Sequence, residues 1–238
     1  MNIALIGYGK MGQMIESIAI ERGHQVILKI DINNLDDFKV ENLKKAQVAI
    51  EFTKPETAFA NITRCIEYKV PVVSGSTGWY DRLEEVKSLC VQQNGSMLCA
   101  SNFSLGVNIF FEINRHLAQI MDRFPDYNVG IEEIHHTQKL DAPSGTAITL
   151  AEDVISEISR ISKWELDGSG KINTLPIRAV REDNIPGTHN VKYASEIDDI
   201  EIIHTALSRK GFALGAVLAA EYIHDKKGIF SMKDLLNI

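Results

Sequence analysis

The chain predicts an α/β fold: a doubly wound parallel sheet followed by a second, α+β unit built on a mixed or antiparallel sheet. Three observations predict it. A short apolar strand runs straight into Gly7, Tyr8, Gly9, Lys10, Met11 and Gly12 and then into a helical face, the strand, glycine turn and helix order that opens a Rossmann-type sheet. Short apolar runs then alternate with helical patterns as far as residue 100, which specifies parallel strands joined by crossover helices. Beyond residue 125 strands dominate, with turn residues at Ile185, Pro186, Gly187 and at Asp198, Asp199, and that pattern belongs to a sheet with helices on one face.

Taken in order, residues 2–6 form the first strand, and Met11, Met14, Ile15 and Ile18 mark the face of the first helix. Gly7 permits the tight turn, Gly9 lets backbone approach a pyrophosphate, and Gly12 allows helix and strand to pack closely. The second strand, residues 25–30, ends on Asp31, whose carboxylate suits the hydroxyls of an adenosine ribose. Residues 32–45 are polar and short where a full crossover helix is usual, so the fold is trimmed there. The third strand spans residues 48–52, and Pro55 opens a helix with Ala58, Phe59, Ile62, Cys65 and Ile66 inward. Thr53, just before it, is expected against the nicotinamide or pyrophosphate side. A fourth strand at 71–73 ends in the small-residue loop Ser74, Gly75, Ser76, Thr77, Gly78, and a helix carrying Leu83, Val86, Leu89 and Cys90 follows. The fifth strand, 97–100, ends in Ser101, Asn102, Phe103. Loops at the carboxyl ends of parallel strands face ligands.

A long helix over 105–124 is apolar on more than one side and suits burial between two units. The domain boundary is expected at its start, giving a dinucleotide-binding domain of residues 1–103, completed by 209–238, and a second domain of 104–208. In the latter, strands are expected at 128–134, 171–181, 190–195 and 200–208, a helix at 146–160 and a polar connection at 162–170. A small-residue helix at 211–223 returns, with the tail, to the first domain.

At 238 residues and 45% hydrophobic the chain buries a sizeable core. A formal charge of -7 argues against a nucleic-acid partner, and the absence of any 18-residue apolar run argues against a membrane one. The N-terminus enters a strand at once, with no secretory pattern, so a cytoplasmic protein with a small-molecule partner is expected. Cys65, Cys90 and Cys99 have no metal-ligand spacing; they are expected to be reduced thiols without chemistry, and no metal is expected.

Residues 133–146 carry the densest chemistry: Glu133, Ile134, His135, His136, Thr137, Gln138, Lys139, Leu140, Asp141, Ala142, Pro143, Ser144, Gly145, Thr146. Two histidines titrate near neutrality, Lys139 adds a positive charge, and Ser144 to Thr146 form the first turn of a helix whose inward positions are Ala151, Val154, Ile155 and Ile158. Amide N–H groups in such a turn lack intrahelical partners and bind carboxylate or phosphate oxygens. Proton transfer beside an anion site is the reading. The bland alternative, a capped helix next to satisfied histidines, serves for any one residue and not for the constellation.

These motifs resemble one family over essentially the whole chain, that of 4-hydroxy-tetrahydrodipicolinate reductase, formerly dihydrodipicolinate reductase, of lysine and diaminopimelate biosynthesis. The likeness rests on the glycine turn at 7–12, Ser-Gly-Ser-Thr-Gly at 74–78, Ala-Ser-Asn-Phe-Ser at 100–104, the block at 133–147 and His-Thr-Ala-Leu-Ser-Arg at 204–209. The resemblance implies reduction of a cyclic unsaturated dicarboxylate by NADH or NADPH in a homotetramer assembled through the second-domain sheets. It implies His135 as acid–base residue and Lys139 as proton donor, with His136, Ser144, Gly145 and Thr146 binding substrate. On the cofactor side it implies Gly7, Tyr8, Gly9, Lys10, Met11, Gly12, Asp31, Gly75, Ser76, Thr77, Ala100, Ser101, Asn102 and Phe103. Domain closure is expected to hinge near residues 103–105 and 208–210. Many relatives carry an arginine after the acidic residue, suited to the extra phosphate of NADPH; here Ile32 follows Asp31, and NADH is expected to be preferred. Another Rossmann oxidoreductase explains residues 1–100 equally well and leaves 133–146 unexplained. A non-catalytic dinucleotide sensor has no need of a proton donor beside an anion site.

Overall fold

In a computed structural model the described residues are 1–168 and 173–238. They divide into two compact units, residues 1–105 with 210–238, and residues 106–209.

The first unit carries strands β1 (Asn2–Ile6), β2 (Gln25–Ile30), β3 (Val48–Glu51), β4 (Val72–Ser74) and β5 (Ser96–Cys99) and helices α1 (Lys10–Glu21), α2 (Val40–Leu43), α3 (Pro55–Glu67) and α4 (Leu83–Gln92). All strand pairs are parallel, as alternation with helices dictates. Pro55 stands at the start of α3, where its missing N–H is no loss. The expected trimming between β2 and β3 takes the form of a 3-10 turn, Leu35–Asp37, and the single turn α2.

One face of the sheet packs on Ile15, Ile18 and Ala19 of α1 and on a helix from the far end of the chain, Lys210–Ile223. That helix buries Ala213, Gly215, Ala216, Val217, Ala219, Ala220 and Ile223, and its small side chains let it lie close against the sheet. The opposite face is covered by Ala58, Ile62, Cys65 and Ile66 of α3 with Val86 and Cys90 of α4. Cys65 and Cys90 are buried and unpaired, and burial pushes both thiols up, which suits the reading without chemistry.

The second unit holds α5 (Leu105–Met121, its first residue in the other unit), β6 (Asn128–His135), α6 (Gly145–Glu157), β7 (Lys163–Leu166), β8 (Thr174–Arg181), β9 (Gly187–Ala194) and β10 (Asp199–Ala206). The strand order is β10-β9-β6-β8-β7, with β6–β8 and β7–β8 parallel and the other pairs antiparallel, a mixed sheet. Alternation is strict in β6: Val129, Ile131, Glu133 and His135 are buried, and the residues between them are not. Leu150, Ala151 and Val154 of α6 pack on this buried face with Leu175, Ile177, Val191 and Tyr193.

The remaining elements are α7 (Lys210–Ile223), β11 (Gly228–Phe230) and α8 (Met232–Leu236). Several expectations need correction. The connection at 162–170 contains the edge strand β7, whose Trp164 and Leu166 are only partly buried, so its pattern is weak. The tail supplies a sixth parallel strand, β11 beside β5, and a capping box between Ser231 and Asp234 starts α8; both elements are too short for periodicity to register. The helix expected at 146–160 has Ser144 as its cap and ends at Glu157. Within its own unit α5 buries a single face, Val107, Phe110, Asn114, Ala118 and Met121, whereas Ile109 and Ile113 are exposed. Lys171 and Ile172, expected to begin a strand, lie outside the described residues.

Candidate active site

In the first unit the turn between β1 and α1 has the geometry its glycines require. Gly7 has φ +96°, and a Cβ there would collide with the Phe52 carbonyl. A Cβ on Gly12 would run into the Gly7 carbonyl, so both positions admit only glycine for packing reasons. Gly9, by contrast, faces open space, the room a pyrophosphate needs against backbone. Gly7, Tyr8, Gly9 and Asp31 line one cavity of about 390 Å³ together with Phe52, Thr53 and Lys54. Lys10 is exposed and Met11 half-buried, while Gly12 lies beneath the turn. An open cradle over the glycine turn, flanked by a carboxylate at the end of β2, fits the adenosine and pyrophosphate part of a nicotinamide dinucleotide.

The other residues expected on the cofactor side belong to the carboxyl ends of β4 and β5. Gly75 is half-buried and Ser76 buried; Thr77 is exposed. Ala100 and Asn102 are half-buried and Ser101 is exposed, whereas Phe103 is core, its ring 5.8 Å from that of Phe52. Sequence reasoning missed what holds these loops. Glu51, fully buried at the end of β3, accepts from Ser74 Oγ at 2.5 Å, from Ser76 Oγ at 2.9 Å, from the Thr53 amide at 3.1 Å and from the Thr53 hydroxyl. One carboxylate thus ties the loop after β3 to the loop after β4. The signal was a lone acidic residue closing an otherwise apolar strand.

In the second unit His135 closes β6, buried, and Ser144 caps α6 by accepting from the Ala147 amide at 3.2 Å. Gly145 and Thr146 are the first residues of α6; Gly145 is exposed, with open space where a Cβ would stand. His136 and Lys139 are half-buried, and the Lys139 ammonium bonds both oxygens of Asp141.

Beneath these lies Glu133, wholly inaccessible. Both of its oxygens accept from the Ser144 amide at 3.1 Å, and Oε1 accepts from Arg181 Nη2 at 3.1 Å. His135 Nδ1 is 3.4 Å and His189 Nε2 3.7 Å from Oε2. Burial by itself raises the Glu133 carboxyl, but hydrogen bonds from His135 and from the hydroxyl and amide of Ser144 outweigh it and leave the group lowered to about 2. Glu133 is therefore an anion. His189 goes the other way, lowered to about 3 by burial and then by the neighbouring His135, so it is neutral, with Nε2 3.1 Å from Ser144 Oγ. The imidazoles of His135 and His189 meet edge to face, 5.0 Å between centroids.

Glu133, His135 and His189 bring ligand-type atoms within 4.8 Å of one another, a spacing that a metal ion accepts. The guanidinium of Arg181 already bonds that carboxylate, and its fixed charge opposes a second cation there. Arg181 and His189 escaped sequence reasoning. They arrive from β8 and β9, more than forty residues away, and only the β6–β8 and β6–β9 registers bring them to Glu133.

A parallel sheet with a glycine turn and a terminal carboxylate in one unit, and histidines, a lysine and an anion-ready helix start in the other, define the class of nicotinamide-dependent oxidoreductases of Rossmann type. Residues 1–103 match the family described as dihydrodipicolinate reductase, N-terminus, and residues 106–236 its C-terminus. The chain belongs to the dihydrodipicolinate reductase family. It is 54% identical to the 4-hydroxy-tetrahydrodipicolinate reductase of Christiangramia forsetii over 100% of its own length and 98% of the relative's. It is 33% identical to that of Neisseria meningitidis serogroup C, covering 94% of this chain and 84% of the relative. The dipicolinate-bound dihydrodipicolinate reductase of Paenisporosarcina sp. TG-14 shares the fold, with a TM-score of 0.78, 22% identity and 97% coverage of both chains. An amine dehydrogenase of Mycobacterium smegmatis has a TM-score of 0.60 at 10% identity, so the fold alone extends to other dehydrogenases. No helix among the described residues is long and apolar enough to cross a membrane.

Proposed function

We propose that the protein reduces 4-hydroxy-tetrahydrodipicolinate, or its dehydrated form dihydrodipicolinate, to tetrahydrodipicolinate in lysine and diaminopimelate biosynthesis. The single observation that carries the reading is the meeting of His135 and the Ser144–Thr146 helix start at one end of β6 over a common buried carboxylate, with Lys139 in the connecting segment. The nicotinamide cofactor supplies hydride when bound. Gly7, Tyr8, Gly9, Lys10, Met11, Gly12 and Asp31 would hold its adenosine and pyrophosphate part, and Gly75, Ser76, Thr77 and residues 100–103 would lie beside the remainder.

The chain's own residues then have separate tasks. Amide N–H groups at Gly145 and Thr146, with the Thr146 hydroxyl, bind one substrate carboxylate at the positive end of α6. His136 and Lys139 bind from the facing segment. Hydride addition leaves electron density on a neighbouring ring atom, which needs a proton. Lys139 Nζ donates that proton, and His135 acts as the acid–base group.

We assign the working form as a cytoplasmic homotetramer assembled through the second-unit sheets. Exposed Ile113 on α5 and Ile200 on β10 support it, because with Ile120 and Ile202 they line one open apolar groove of the second unit. The deciding experiment is spectrophotometric: oxidation of NADH on adding enzymatically generated cyclic substrate, with and without pyridine-2,6-dicarboxylate. Steady oxidation suppressed by the dicarboxylate supports the reading, and no oxidation above a protein-free blank ends it. Light scattering on the eluted protein reads the tetramer.

A further inference from the structure

We propose that Glu133 and Arg181 are the positioning residues of this site: the carboxylate fixes the tautomer of His135, and the guanidinium couples that histidine to Lys139. The inference rests on the assignment of His135 and Lys139 to proton transfer made above.

A carboxylate without any exposure is costly unless its lone pairs are filled. Four groups converge on Glu133, namely the Ser144 amide, Arg181, His135 and His189. An ionised carboxylate only accepts. His135 Nδ1 lies buried 3.4 Å from Oε2, longer and less aligned than an ordinary hydrogen bond, and no other group among the described residues bonds it; a proton on that side is the one that meets the anion, and the neutral ring then keeps its lone pair on Nε2. Nε2 looks toward Gly187, where a Cβ would come within 2.9 Å of it. A side chain at 187 would therefore press on Nε2, and glycine spares the ring that contact.

Arg181 extends the same order to the lysine. It is the register partner of His135 across β6 and β8. Its Nη2 donates to Glu133 Oε1 at 3.1 Å and to the Asp141 carbonyl at 2.6 Å, Nε donates to the Lys139 carbonyl at 3.3 Å, and Nη1 donates to the Val180 carbonyl at 2.9 Å. One rigid fork holds both the carboxylate behind His135 and the backbone that carries Lys139. A lysine at 181 has the charge and lacks the fork. Besides Glu133, the titratable group packed on His135 is His189 on β9, which stays neutral.

The test uses the full chain labelled with 15N-histidine, the spectrum of His135→Gln assigning the His135 signals, alongside steady-state kinetics of Glu133→Gln, Glu133→Asp and Arg181→Lys. Wild-type His135 is expected with its proton on Nδ1. Glutamine offers its carbonyl to Ser144 and Arg181 and turns its NH2 on the ring, so Glu133→Gln should move the proton to Nε2 and lower kcat at least ~10²-fold. The KM for NADH should stay within about twofold, since the cofactor cradle lies in the other unit. Glu133→Asp should restore the Nδ1 proton and most of the lost rate. Arg181→Lys should lower kcat roughly tenfold, again without touching NADH, as expected when geometry loosens around a proton transfer. Wild-type tautomer and rate in Glu133→Gln would overturn the proposal, as would an Nε2 proton in the wild type or equal impairment of the Asp and Gln variants. Should Glu133→Gln not fold, the wild-type tautomer and Arg181→Lys still decide. If the wild type fails to oxidise NADH the assigned function falls, while the tautomer measurement still reads this inference.

Discussion

The Lys139 ammonium lies 2.9 and 2.7 Å from the two carboxylate oxygens of Asp141, an exposed partner two residues on. An exposed ion pair of this kind is worth about 0–1 kcal/mol, so a substrate carboxylate can take the place of Asp141 at little cost.

Lys139→Ala is accordingly expected to lower turnover by at least ~10²-fold with NADH affinity nearly unchanged, the lower end of what a positioned proton donor contributes. His135→Gln should also reduce the rate and flatten its pH profile where an imidazole titrates. Rates equal to wild type in both variants would remove these residues from the mechanism.

The elements that sequence reasoning found are those whose burial repeats at one period: the glycine turn with Ile15 and Ile18, the run from Val48, and α6 with Ala151 and Val154. The candidate catalytic stretch was legible for the same reason that motifs are, because its groups lie within fourteen consecutive residues. What stayed hidden was built by register. Arg181 sits beside His135, and His189 opposite Glu133, only after β8 and β9 flank β6, and no local spacing announces either. Strand β7 was hidden because its edge position Lys163 is polar and exposed and breaks the apolar signal, and β11 because three residues are too few to show one.

Two buried groups make stability fall on the acid side. His189 titrates near 6.5 when unfolded and about 3 when folded, so the unfolded chain binds the extra proton between those values and stability drops as pH falls below 6.5. Glu133 has a folded value of about 2 against 4.5, so its contribution is complete above 4.5 and is lost as pH falls toward 2. Urea midpoints should decline from pH 7 to 3, and Glu133→Gln should differ from wild type most at pH 7 and least at pH 2. A gap between the two proteins that widens on acidification would contradict this.

Ser144 and Thr146 share a helix start and should fail differently. Ser144→Ala removes the cap on the Ala147 amide and the contact to His189, so it should lower stability by about 1 kcal/mol. Thr146→Val removes a hydroxyl that binds ground and transition states alike, so it should raise the substrate KM more than it lowers kcat. The expected loss is roughly 0.5 to 1.5 kcal/mol, or up to ~3 if the substrate carboxylate is left unpaired. An unchanged KM with a lower melting temperature in Thr146→Val would reduce that residue to part of the helix.

The cofactor preference turns on Lys29. Asp31 and Ile32 line the cradle, and a 2′-phosphate there would meet the Asp31 carboxylate. A basic side chain could offset this repulsion: Lys54 lines the same cavity, and Lys29, the nearest in sequence, is already engaged. Lys29 Nζ is 2.6 Å from Glu16 Oε1 and 3.3 Å from the Tyr8 hydroxyl, and it lies over the Tyr8 ring. The hydrogen bonds to Glu16 first and Tyr8 second push its pKa up. NADH should therefore bind more tightly than NADPH, without excluding it. Glu16→Gln weakens the hold on Lys29 beside Tyr8, itself a wall of the cradle, and should shift the ratio of dissociation constants toward NADPH by about 1 kcal/mol, roughly fivefold, an effect that shrinks with added salt. Both constants, measured for wild type and variant at two salt concentrations, decide it. A wild-type preference for NADPH that fades with salt would mean that Lys29, or a lysine from residues 32–45, already serves the phosphate, and an unaltered ratio in Glu16→Gln would mean that Lys29 does not reach it.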